Sequence, residues 1–301
     1  MSWKLSAIAT REAVETALDR RDDVVGWDEN IVLTGFEVDP KEPDTWRLDA
    51  YTHGKPSDAD RKAVRSLFDD PAPPILAEKL PATDWVTESQ KGVEPIRAGR
   101  FRVRTPDHAA LDEPGLTEFV IPAAQAFGTG QHETTAGCLQ MLDTMRAQGL
   151  HPRDVADIGT GTGLLGFAAL ALWPRAFTTA SDIDPVCGPA VVHNCELNGL
   201  SLGARRGEFA MLIADGMDDP ALQARAPYDL LIANILAGPL IDMAQDFGDS
   251  VTSRGSILLA GLLERQENDV RAAYRRAGFR LHRRIVNGDW SILWLRRRYT
   301  G

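Results

Sequence analysis

Between Val155 and Gly166 the chain reads Val-Ala-Asp-Ile-Gly-Thr-Gly-Thr-Gly-Leu-Leu-Gly, and few folds accommodate such a run. A short apolar stretch ends in an acid, Asp157, crosses a glycine-rich turn and enters an apolar segment from Leu164 to Leu172. That pattern predicts a strand, a tight turn and a helix. Glycine lets the main chain approach a ligand closely, and a helix N-terminus offers unpaired N–H donors. The run therefore predicts a site for a nucleotide-type ligand.

The residues around this run repeat the same alternation. Strands are expected at Val155–Ile158, Ala176–Ser181, Glu208–Ile213, Tyr228–Ala233 and Ser256–Ala260, with helices over Pro185–Asn198 and Glu264–Ala277. Phe279–Val286 and Trp290–Arg296, joined through Asn287-Gly288-Asp289, read as a closing hairpin. Strands alternating with helices predict a parallel sheet covered on both faces, an α/β Rossmann-like fold with a terminal antiparallel hairpin. The first 80 residues read differently, as β-α-β-β-α-β. Trp3–Ala9, Ile31–Val38, Trp46–Thr52 and Ile75–Leu80 are strand-like, with helices after Thr10 and after Ser57, where Asp60 completes a capping box. That order predicts a small α+β, ferredoxin-like unit. The expected division is 1–82 for this unit, a polar connector over 83–107, and 108–301 for the larger domain.

At 301 residues the chain has room for two domains and a sizeable core. No apolar run reaches the ~18 residues of a membrane helix, and Met1-Ser2-Trp3-Lys4 lacks the pattern of a signal peptide. Three cysteines, Cys138, Cys187 and Cys195, with no C-x-x-C pair, predict reduced thiols in a cytoplasmic protein and no metal. The net charge of −10 makes the chain a poor general binder of nucleic acid and suits a basic protein partner. A monomer is expected.

Two ligand classes fit the glycine turn. Gly161-x-Gly163-x-x-Gly166, with Asp182 further on, satisfies the dinucleotide fingerprint of a NAD-dependent dehydrogenase. S-adenosylmethionine is favoured by the other register, Asp157-x-Gly159-x-Gly161-x-Gly163, because an acid near the turn suits an amino group and repels a pyrophosphate. Strand ends supply the remaining contacts. Asp182 can accept from both ribose hydroxyls, Asp215 from an adenine amine, and Asn234 from a nucleophilic amine. Asp157 has the alternative role of tying the turn, Asp184 that of capping the helix after Pro185, and Asp215 that of a plain turn residue. His132, alone beside a glycine loop, reads as structural. Glu133 and Asp112-Glu113 show no partner. Ile235-Leu236-Ala237 after Asn234 offers no stacking surface for a flipped base, which argues against a nucleic-acid methyltransferase.

Phe127-Gly128-Thr129-Gly130 with Thr134-Thr135, the Asp157–Gly163 turn, Asp182-Ile-Asp-Pro185, Asn234-Ile-Leu-Ala-Gly-Pro239 and Gly261-Leu-Leu-Glu264 together resemble the bacterial methyltransferase family that modifies ribosomal protein L11. The resemblance runs along nearly the whole chain and is strongest from Phe127 to Gly261. It implies methyl transfer from S-adenosylmethionine, leaving S-adenosylhomocysteine, to lysine side chains and the N-terminal α-amine of a large-subunit ribosomal protein. It also implies cofactor contacts at Thr135, Gly159, Asp182 and Asn234, a 127–130 loop over the cofactor, and substrate capture by the N-terminal domain. Gln131-His132-Glu133 and Thr160 depart from the common letters of the family. Another protein lysine or a small molecule is the alternative substrate.

Overall fold

The computed structural model describes residues 3–20, 24, 27, 31–38, 44–52, 54–79, 94–122 and 131–297. The chain forms two units, Met1–Trp85 and Val86–Gly301.

In the first unit, β1 (Trp3–Thr10), β2 (Val32–Glu37), β3 (Thr45–Thr52) and β4 (Leu76–Lys79) make an antiparallel sheet in the order β2-β3-β1-β4. Its two helices start where the sequence signals them. The Thr10 side chain accepts from Ala13 N ahead of Arg11–Asp19, and Ser57 and Asp60 cap Asp58–Ser66 reciprocally. Leu5, Val14, Leu48, Val64 and Leu67 form the core between helices and sheet. One charged side chain of β3 lies inside the unit. Asp49 is wholly buried, held by Lys4 at 3.5 Å, Arg47 at 3.2 Å and the Ser6 hydroxyl at 2.6 Å. Lys4 on the neighbouring strand and Arg47 on its own strand supply the compensating charge that burial of a carboxylate requires.

Part of the expected connector 83–107 is strand, as the alternation of Phe101–Thr105 suggests. Ile96–Ala98 (β5), Phe101–Arg104 (β6) and Thr117–Val120 (β7) form a separate three-stranded sheet, and Ile96, Phe101 and Val103 are buried in the core of the second unit beside Phe119 and Phe167. A three-residue strand carries too short a pattern to read, and its stability comes from pairing with β6 across the Gly99 turn. Glu113 also gains a partner there, Arg97.

The body of the second unit is built on seven strands: β8 (Asp154–Ile158), β9 (Phe177–Asp182), β10 (Phe209–Ile213), β11 (Tyr228–Asn234), β12 (Val251–Leu263), β13 (Phe279–Asn287) and β14 (Trp290–Arg297). Their order is β10-β9-β8-β11-β12-β14-β13, with β14 alone running opposite to the other six. The apolar runs of the central strands serve two cores at once, because successive side chains point to opposite faces. Leu230, Ile232, Leu258 and Trp294 pack with the helices Gln131–Ala147 and Leu164–Leu172, whereas Leu231, Ala233, Leu259 and Leu293 pack with Glu267–Arg276. Short helices at Pro220–Arg225, Ala237–Asp242 and Ala244–Asp249 were not legible in the sequence, each being under two turns. No helix among the described residues is long and apolar enough to cross a membrane.

Candidate functional site

In an open α/β sheet, ligands sit beyond the carboxyl ends of the parallel strands. Here the glycine turn follows β8 at that end. Gly159 (φ +70°), Gly161 (φ +57°) and Gly163 (φ +86°) all occupy the left-handed region that favours glycine. The N–H groups of Gly159 and Thr160 both donate to the Ser181 carbonyl at 2.9 Å, which ties the turn to β9. The glycines then differ in what a side chain would meet. At Gly161 there is open space, the property a close-approaching ligand requires. At Gly159 a Cβ would lie 2.3 Å from Ile235 Cγ2, and at Gly166 it would strike the Phe209 ring at 2.6 Å. Gly166 therefore serves helix-to-sheet packing.

Asp157 takes the tying role. It is 1% exposed, and its Oδ2 accepts from the Thr160 hydroxyl at 2.6 Å and from Gly166 N at 2.9 Å. Burial pushes its carboxyl up to about 6, an effect only partly offset by those two bonds. Thr160 is the direct partner of this acid.

Asp182 and Asp184 separate as the strand end demands. Asp182 Oδ2 accepts from Gly161 N at 2.8 Å and Oδ1 from Asp184 N at 3.0 Å, so the last residue of β9 is fixed against the glycine turn. Asp184 Oδ1 accepts from Val186 N at 2.9 Å, a local cap. The Asp182 carbonyl also accepts from Ala214 N at 2.9 Å, which brings the exposed Asp215 to the same rim.

Asn234 ends β11 and is half-buried. It lies between β8 and β12, opposite Ala260, and is fixed from behind by its successor. The Ile235 side chain packs on Gly159, and the Ile235 main chain fills the space beside Gly261 (φ +82°), where a Cβ would lie 2.3 Å from the Ile235 carbonyl oxygen. The sequence reading missed this use of Ile235, and also the apolar rim of Ile183 (64% exposed) and Leu236 (70%). The available signal was position: each directly follows, or follows by one residue, a polar strand end.

Thr135 stands near the start of the helix Gln131–Ala147 and is half-buried. That end of the helix is anchored at the carboxyl side of the sheet, because the Glu133 carbonyl accepts from Asn287 Nδ2 at 3.0 Å beside the hairpin turn. Phe127, Gly128, Thr129 and Gly130 lie outside the described residues, as does the side chain of His132. Cys138, Cys187 and Cys195 are free, and burial raises all three thiols. Among the described residues no cluster of His, Cys, Asp and Glu is arranged to hold a metal ion.

A family model described as Ribosomal protein L11 methyltransferase (PrmA) matches residues 13–298. A ribosomal protein L11 methyltransferase of Agrobacterium fabrum is 36% identical over 283 residues, covering 93% of this chain and 94% of that protein. One of Rhizobium etli is 35% identical over 292 residues, covering 96% and 97%. The crystal structure of a ribosomal protein L11 methylase from Lactobacillus delbrueckii subsp. bulgaricus is similar with a TM-score of 0.57 at 25% identity, covering 68% of this chain and 99% of that one. With the family model spanning almost the whole chain and relatives above one-third identity along its length, this protein belongs to the ribosomal protein L11 methyltransferase (PrmA) family.

Proposed function

We propose that this protein transfers methyl groups from S-adenosylmethionine to amines, lysine side chains and an N-terminal α-amine, of a large-subunit ribosomal protein. The observation that carries the proposal is Asn234, a half-buried amide at a parallel strand end, fixed beside the glycine turn through the Ile235–Gly159 contact.

The residues present fit the cofactor. Gly161 leaves open space over a left-handed turn, Asp182 is oriented there by Gly161 N, Asp215 is exposed at the next strand end, and Ile183 and Leu236 supply apolar walls. In this reading Asp182 holds the ribose hydroxyls and Asp215 the adenine amine. Gly159, Gly163, Thr135 and the 127–130 loop complete the enclosure. Asp157 acts from underneath, by holding Thr160 and Gly166.

When bound, S-adenosylmethionine supplies a methyl group already activated by its sulfonium. The protein therefore contributes mainly position. A lysine amine has an ordinary pKa near 10.4 and is protonated at pH 7, yet only its lone pair attacks. Leu236 and Ile235 present apolar surface beside Asn234, and desolvation as the substrate docks there lowers an amine's pKa. The proton leaves to water as the amine enters, and Asn234 Oδ1 accepts one remaining N–H, aiming the lone pair. No separate base is invoked. In this reading the N-terminal unit is a ferredoxin-like sandwich that captures the substrate protein, a reading supported by its β-α-β-β-α-β order.

Incubation with methyl-labelled S-adenosylmethionine and free ribosomal proteins tests the activity, and absence of label from every protein refutes it. Asn234→Ala tests the mechanism. Transfer should fall about 10²-fold, the scale of a misplaced reactant, while affinity for S-adenosylhomocysteine stays within a few-fold. Unchanged transfer would remove the orienting role.

A further inference from the structure

The acid excess of the chain is not spread evenly over the second unit. At the carboxyl end of the sheet, segments 158–163, 182–187, 213–220, 234–237, 261–267 and 287–290 hold eight carboxylates against one arginine, two of the acids, Glu264 and Glu267, being paired with Arg284 and Arg271. At the opposite, amino end, segments 148–154, 174–177, 198–209, 223–229, 246–256, 275–280 and 295–297 hold eleven arginines against five carboxylates. The register assembles this second set. Arg296 lies beside Ser256 and Phe279 opposite Arg297, so the start of β13 and the end of β14 join the start of β12. A net acidic chain thus has one basic end, and field and steering follow local distribution more than net charge.

Several of these cations are held by main-chain carbonyls, and Arg206 and Arg225 also face Asp154. Arg225 donates to the Ala204 carbonyl at 2.7 Å, Arg280 to the carbonyls of Arg275 and Phe279, and Arg297 to those of Gly248 and Val251. A main-chain carbonyl satisfies a guanidinium N–H and leaves the charge in place. Arg206 and Arg225 both lie over the ring of half-buried Phe177, 5.0 and 5.1 Å from its centroid. Arginines on the edge strand β13 also guard against edge pairing. That reason does not extend to the other edge, where β10 (Phe-Ala-Met-Leu-Ile) carries no charge and Arg205 and Arg206 occupy the loop before it. From β10 to β13 there are six strand spacings of ~4.8 Å, a face about 29 Å wide and long enough to follow several successive phosphates.

We propose that this amino-end face docks the phosphate backbone of RNA, leaving the acidic carboxyl end for the protein substrate. The choice of RNA rests on the functional reading above, since a ribosomal protein is a partner found on RNA. The contacts are to phosphate and are independent of sequence.

The test uses the full chain and a fluorescein-labelled 20-base-pair RNA duplex of arbitrary sequence, titrated at 50 and 200 mM KCl. One variant carries Arg205→Gln, Arg206→Gln, Arg276→Gln and Arg296→Gln; a control removes the same charge through Arg61→Gln, Arg65→Gln, Arg97→Gln and Arg265→Gln. In the first variant the Kd at 50 mM should rise at least ~10-fold and the log–log salt slope should flatten by about 3.6 units, about 0.9 for each of the four phosphates no longer neutralised. The control should bind within about twofold of wild type. Methyl transfer to free ribosomal protein should be unchanged in the first variant, whose four positions lie away from the carboxyl end. No duplex binding at 50 mM KCl, equal losses in the two variants, or preference for phosphatidylserine vesicles over the duplex would each overturn the proposal. Duplex binding with no methyl transfer to any ribosomal protein would count against the functional reading alone.

Discussion

Gly159→Ala perturbs the joint between the glycine turn and the Asn234 strand end. Two costs add. Gly159 has φ +70°, and a left-handed alanine costs about 1–2 kcal/mol. Its new Cβ would also lie 2.3 Å from Ile235 Cγ2, well inside van der Waals contact, and overpacking of that kind costs about 1–3 kcal/mol. The variant should lose about 2–5 kcal/mol in urea unfolding. Adding Ile235→Ala removes the clash and leaves the backbone strain, so Gly159→Ala should cost only about 1–2 kcal/mol in that background. The coupling energy of the cycle is then about 1–3 kcal/mol. Methyl transfer should fall about 10²-fold in Gly159→Ala, because relief of the clash moves the residue next to Asn234 and small misplacements are costly. Urea titrations of the four proteins and initial rates with labelled cofactor supply every term. If the two substitutions add to within about 0.5 kcal/mol, Ile235 is not what joins the turn to Asn234, and the reasoning fails.

Three further substitutions probe separate parts of the molecule. In the folded chain Asp157 keeps its proton up to about pH 6, against an ordinary value of 3.8; its contribution is therefore full below pH ~4 and lost as pH rises past ~6. Asp157→Asn should exceed wild type by about 1 kcal/mol at pH 4.5 and about 3 kcal/mol at pH 7.5, and an equal difference between the two proteins at both pH values would deny the raised carboxyl. Asp182→Ala removes a charged acceptor from Gly161 N and, in our reading, from the ribose. The Kd for S-adenosylhomocysteine should rise about 10–100-fold by calorimetry, and an unchanged Kd excludes Asp182 from the cofactor. Ser57→Ala breaks the capping box in the first unit and should cost about 1 kcal/mol in unfolding without altering cofactor affinity; no loss of stability would show that the cap is unimportant.

Much of the architecture was legible in the sequence because it depends on local chemistry. Helix starts at Thr10 and Ser57 follow from side chains that reach N–H groups three residues away. The strands of the second unit are apolar runs bounded by turn residues, and their ends carry Asp182 and Asn234 at the rim where the sequence reading placed them. Roles that turn on neighbours distant in sequence were not legible. Whether Asp157 faces a ligand or ties the turn depended on how Thr160 and Gly166 come round to it. Gly159 reads as a glycine for ligand approach, and only the fold shows Ile235 against it, 76 positions away. Ile96–Ala98 became a strand because β6 pairs with it. The net charge of −10 carries no information on where charge lies; the parallel sheet sorts strand starts from strand ends and gathers arginines from seven separate segments onto one face. The sequence by itself determined the elements and the order of polar strand ends, through propensity, capping and periodicity. Tertiary structure decided which groups are buried, which glycine meets which side chain and where charge accumulates, because each of those depends on contacts between residues far apart in the chain.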